Sequence, residues 1–99
     1  MHALYARAFE REMGCTDDEL RAWLPGASRL GRIEWRGHGA DIVLDGRRAS
    51  IDWQVHEPRR IALLVIPRLQ VRFDARDVDD VHWQPFMRHF DLYTQRGGG

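Results

Sequence analysis

Cys15 is the one cysteine of the 99 residues, and it stands one position before Thr16, a candidate helix N-cap, where a helix dipole favours the thiolate. The sequence places no histidine beside it to act as a base, so ordinary packing between two segments accounts for it better than nucleophilic catalysis. A lone cysteine also rules out an internal disulfide and a Cys-rich metal motif. His2, His38, His56, His82 and His89 show no ligand spacing such as His-x-x-x-His on a helix, so no metal and no other cofactor is expected. Ser50, Asp52 and His56 supply the residue types of a proton relay. On one extended strand, however, they spread over roughly 20 Å, too far to work together. No catalytic residue is assigned, and the chain is not read as an enzyme.

Charge sets further bounds. Fifteen basic residues balance fifteen acidic ones and the two signs are interspersed, which argues against nucleic acid as a partner. Every basic residue is Arg, and Asn is absent, a bacterial-like composition that GC-rich codon usage explains without invoking anion recognition. The longest apolar run, Ile61 to Pro67, falls far short of the roughly 20 residues of a membrane span, and the first residues lack the apolar core of a signal peptide. The expectation is a cytoplasmic chain with no membrane partner. Its 99 residues suit one domain, 1–99, with a flexible Gly tail at 97–99.

The elements that would position these side chains follow from periodicity. Tyr5, Phe9 and Met13, with Leu4 and Ala8 beside them, predict an amphipathic helix over Ala3 to Met13. Thr16 and Glu19 form a capping box for a second, short helix burying Leu20, Trp23 and Leu24 and ending at Pro25-Gly26. Three hairpins follow. Gly37-His38 as a two-residue turn sets Trp35 opposite Ala40, and Asp45-Gly46 sets Ile42 opposite Ala49. Glu57-Pro58-Arg59 as a three-residue loop sets Trp53 opposite Leu63. Odd residues from Ile61 to Phe73 are all apolar and predict one long strand, bent near Pro67, with those residues in the core. A rival reading turns the chain at Pro67-Arg68 and gives five strands. Trp83, Phe86, Phe90 and Tyr93 mark a last helix with Pro85 in its first turn. The predicted fold is α+β: a four-stranded antiparallel meander with two N-terminal helices and one C-terminal helix on one face, order ααββββα.

This phasing puts Val43, Ala62, Leu64 and Ile66 on the outer sheet face among polar residues, with Arg48, Arg68 and His56 at the rim. An apolar centre with an Arg-rich rim has the anatomy of an interface. The leading functional expectation is therefore a protein-interaction or self-associating module that uses this face, its partner being itself or another protein. The alternative is a small molecule bound between the sheet and the last helix, in a pocket lined by Trp35, Trp53, Trp83 and Phe90, although aromatic side chains are also the commonest core filling. Finally, Arg96-Gly97-Gly98-Gly99 resembles the di-glycine tail of ubiquitin-like carrier proteins, a resemblance that implies adenylation and conjugation at that end. In that family the tail follows a strand. Here it follows a predicted helix and carries an extra glycine.

Overall fold

A computed structural model describes residues 4–97, with side chains as far as residue 95. Seven elements follow in order: β1 (Ala8–Met13), α1 (Asp17–Ala27), β2 (Arg32–Arg36), β3 (Gly39–Leu44), β4 (Arg47–Ile61), β5 (Leu64–Asp74) and α2 (Asp80–Gly97). The strands make one antiparallel sheet in the order β1-β5-β4-β3-β2, so α1 carries the chain from one sheet edge to the other.

The α+β class and the antiparallel sheet agree with the sequence, but the count does not: the described residues form five strands and two helices rather than four and three. The predicted first helix is the edge strand β1. A spacing of four, as in Tyr5, Phe9 and Met13, is also a multiple of two, and it serves a strand as well as a helix. In β1 the residues alternate between exposed and half-buried, with Phe9, Arg11 and Met13 turned inward opposite Phe73, Val71 and Leu69. Arg11 at an inward position hid the alternation. Its guanidinium lies over the rings of Phe73, Phe90 and Phe9 at 5.2, 5.7 and 6.0 Å and ends on Asp91 of α2, with Arg11 Nη1 donating to Asp91 Oδ2 at 3.3 Å.

Two of the three predicted hairpins hold. Asp45 and Gly46 turn with φ of 51° and 75°, pairing Ile42 with Ala49, and the β2–β3 hairpin pairs Trp35 with Ala40. The third turn lies elsewhere. β4 continues through Glu57-Pro58-Arg59 and turns at Ala62-Leu63, so Ile61 pairs with Leu64 and Trp53 with Val71. Nor does the chain turn at Pro67-Arg68, since β5 continues through both residues. The predicted long odd-residue strand is thus divided. Leu69, Val71 and Phe73 are buried, while Ile61, Leu63 and Val65 are exposed on the far side of the turn or next to it.

Both helices lie over the inner face. Leu20 and Leu24 of α1 and Trp83, Phe86, Met87 and Phe90 of α2 form one buried cluster with Ile42, Ile51, Trp53, Leu69, Val71 and Phe73. The capping box at Thr16 and Glu19 is present in both directions, and α1 continues through Pro25 to Ala27 rather than ending there. Gly26 has a packing role: a Cβ at that position would fall within the Tyr93 ring of α2. α2 begins five residues before Pro85, at Asp80, with Asp79 Oδ1 accepting the His82 N–H at 3.2 Å.

Candidate interaction surface

β4 and β5 are longer than their neighbours, and this creates the site. β3 accompanies β4 only as far as Asp52, and β1 accompanies β5 only from Leu69 onward. Beyond those points β4 and β5 pair with each other alone, as a two-stranded arm. Where the arm leaves the sheet, His56 pairs with Arg68 and Arg59 with Ile66, so Glu57 and Pro58 together oppose Pro67. This is a β-bulge, with one extra residue in β4. Both prolines lie where no third strand needs their missing N–H, the position sheets reserve for proline. The extra residue also moves Arg59 and Ile61 to the outer face, opposite Ile66 and Leu64.

The arm is apolar and exposed. Leu63 at the turn is 99% accessible, and Val55, Ile61, Leu64 and Val65 are each more than half exposed. Isolated exposed apolar residues are ordinary, but here five large ones share a single hairpin, Ile61 and Leu64 on its outer face, Val65 and Val55 on its inner face and Leu63 at the tip, a concentration of the kind that marks a contact element. At the base of the arm an open groove of about 350 Å³ runs between Val55, Pro58, Pro67 and Leu69 on one side and the start of α1, Cys15 to Asp18, on the other.

The residues singled out from sequence are separated by this geometry. Ala62, Leu64, Ile66, Arg68 and His56 belong to the arm, whereas Val43 and Arg48 pair with each other at the opposite end of β4, roughly 25 to 45 Å away at the rise of a strand. Leu64 and Ile66 therefore do not sit beside Asp52 and Ser50 as the predicted register had it. What the outer face carries instead is a lattice of ion pairs. Arg36 bridges Asp52 at 2.6 Å and Asp41 at 3.1 Å, Arg48 reaches Glu34 and Asp41, and Glu12 receives Arg68 at 3.0 Å and Arg59 at 3.3 Å. Hydrogen bonds from Arg48 and then Arg32 hold the Glu34 carboxyl below its ordinary range.

The aromatic quartet does not enclose a pocket. Trp83 and Phe90 are fully buried and pack with Phe73 and Phe86 at centroid distances of 5.3 to 6.4 Å, filling the space between sheet and helix. Trp53 is buried too, its indole N–H donating to Asp17, while Trp35 stands exposed on the edge strand. That indole bond is the main reason the Asp17 carboxyl is held below its usual range, with Arg21 contributing next. Ser50, Asp52 and His56 are not brought together: Asp52 is engaged by Arg36, and His56 pairs with Arg68.

Cys15 is 2% exposed, and burial, helped by Glu19, pushes its thiol up to about 11, the reverse of activation. Among the described residues no group of three or more His, Cys, Asp or Glu is arranged to hold a metal ion. A second open groove, about 450 Å³, is bounded by Arg11, Asp91, Met13 and Trp23; Arg11 Nη1 and Nη2 are taken up by Asp91, while the buried Arg11 Nε has no hydrogen-bond partner among the described residues. No described helix is long and apolar enough to cross a membrane. Gly98 and Gly99, which carry most of the carrier-tail resemblance, lie outside the described residues.

Sequence reasoning missed Val55, Ile61, Leu63 and Val65 as surface residues because their odd numbering assigned them to the core. The signal available was the pair of prolines, Pro58 and Pro67, which mark a stretch without flanking strands. Compared with protein-family models, curated proteins and solved structures, the chain matches none.

Proposed function

We propose that this chain is a protein-interaction module whose contact element is the β4–β5 arm. The observation that carries the reading is the arm's composition and position: Val55, Ile61, Leu63, Leu64 and Val65 are exposed on a hairpin that extends past both neighbouring strands. A hairpin needs no such side chains at its tip for stability, since they touch little of the core there. Removing apolar area from water by docking contributes roughly 25 cal/mol per Å², so covering this surface with another is favourable. The Arg residues flanking it, Arg59, Arg60 and Arg68, give the patch a polar rim.

The test replaces Leu63 and Val65 together with Asp. The circular dichroism spectrum and thermal midpoint should stay as in the native chain, because neither side chain supports the core. In size-exclusion chromatography of its own cell extract, the native chain should elute well above its 11.6 kDa monomer, and the variant at the monomer position. Native chain eluting as monomer would overturn the reading, as would unfolding of the variant, which would make the arm part of the core.

A further inference from the structure

We infer that the occupant of the arm is a second copy of this chain, the two arms lying side by side and antiparallel so that each tip enters the groove at the base of the other. This rests on the interaction reading above and names its partner. The inner side of the arm presents Val65, Pro58, Pro67 and Val55 in sequence toward the base, where the groove continues the same apolar surface to the start of α1. A strip that is apolar toward its base, with only Arg60 charged beside Val65 near the tip, can meet itself under a two-fold rotation, and such an isologous contact closes at two copies.

Charge selects this occupant over a partner of unrelated chemistry. Arg60 faces inward beside Val65, is exposed, and has no ion-pair partner among the described residues, whereas Arg59 and Arg68 are held by Glu12. At the groove, Asp17 is engaged by Trp53 and Arg21, and Glu19 by the capping box, which leaves the exposed Asp18 as the carboxylate of this stretch with no ion-pair partner among the described residues. Arg60 lies five residues along β4 from Val55, about 16 Å. Antiparallel arms that bring Val65 of one copy over Val55 of the other therefore bring Arg60 to the level of Asp18 across the interface, twice by symmetry. The formal net charge of zero gives two copies no overall repulsion to overcome.

Sedimentation equilibrium across the micromolar range tests this on the full chain. The native protein should fit a monomer–dimer equilibrium with no larger species. Arg60→Asp or Asp18→Arg alone should raise the dissociation constant about tenfold or more, and the two substitutions together should restore most of the loss by re-pairing the reversed charges. Both positions are exposed, and circular dichroism of each variant confirms that it folds. Native protein sedimenting as monomer throughout overturns arm exchange, as does mass growing past the dimer or association indifferent to the charge swap. Arm reading and exchange part company in one result: monomer in pure solution together with a larger complex in the extract overturns the second copy and leaves the arm as the contact for another protein.

Discussion

Pro58 stands opposite Pro67 at the place where β4 and β5 part from the rest of the sheet. Each proline lacks a backbone N–H, and each sits on a strand whose outer neighbour has already ended, β3 at Gly39 opposite Asp52 and β1 at Met13 opposite Leu69. The pair protects both edges of the arm from indiscriminate strand addition. An arm kept from pairing through its edges can still dock through its apolar faces.

Arg11 and Asp91 tie the edge strand to α2, with Tyr5 donating to the same carboxylate at 2.5 Å. Removing the acid leaves a partly buried guanidinium and phenol without their acceptor. Asp91→Ala should therefore lower stability by about 2 kcal/mol, read from urea denaturation. In a double-mutant cycle with Arg11→Met, the coupling should be about 1 kcal/mol or more in favour of the native pair. A zero coupling would show that Asp91 acts independently of Arg11.

Cys15 gives a pH dependence with a definite sign. Its thiol rises from 9.0 to about 11 on folding, so the folded state holds the proton that the unfolded state gives up. The associated stability is fully present below about pH 9 and is lost as pH rises toward 11, by roughly 3 kcal/mol at one pKa unit per 1.36 kcal/mol. Tyr5, raised to about 12 chiefly by burial and next by Asp91, adds to the fall at the upper end. Urea midpoints measured from pH 8 upward should decline, and Cys15→Ala should flatten the earlier part of the decline. A parallel decline in that variant would assign the effect to other groups.

Ala62 occupies the first position of the β4–β5 turn with φ of 54°, a left-handed conformation that costs a residue with a Cβ about 1 kcal/mol or more. Ala62→Gly should raise stability by about 0.5 kcal/mol, once the greater freedom of glycine in the unfolded chain is subtracted. The thermal midpoint is the measurement, and a drop would mean that the methyl group makes a contact worth more than the strain.

That turn also shows where sequence legibility ended. Asp45-Gly46 carries the residues its turn requires, both at positive φ, and Gly37-His38 marks its hairpin although Gly37 takes no positive φ there, so both registers could be read directly. Thr16 and Glu19 likewise announced the start of α1. Ala62-Leu63 contains no residue that signals a turn, while Pro58 seemed to supply one eight residues' register away. A register displaced by an even number keeps odd residues opposite odd, so core-to-core matching could not expose the error. The candidate surface was legible in part for the same reason. Leu64 and Ile66 were recognised as out of place on a polar face, but Leu63 and Val65 were assigned to a core that the bulge and the true turn put out of reach. In β1, Arg11 facing inward broke the pattern that would have declared a strand, because its partner Asp91 lies 80 residues away.

A photo-cross-linking residue in place of Leu63 probes the arm where it is 99% exposed, and the same residue in place of Leu92, an exposed apolar position on α2, is the control. Irradiated in its own cells, the Leu63 variant should give a discrete protein adduct, at twice the monomer mass if the second copy is the occupant, and the Leu92 variant should give none. No adduct at Leu63, or equal adducts at both positions, would contradict the arm as the contact element.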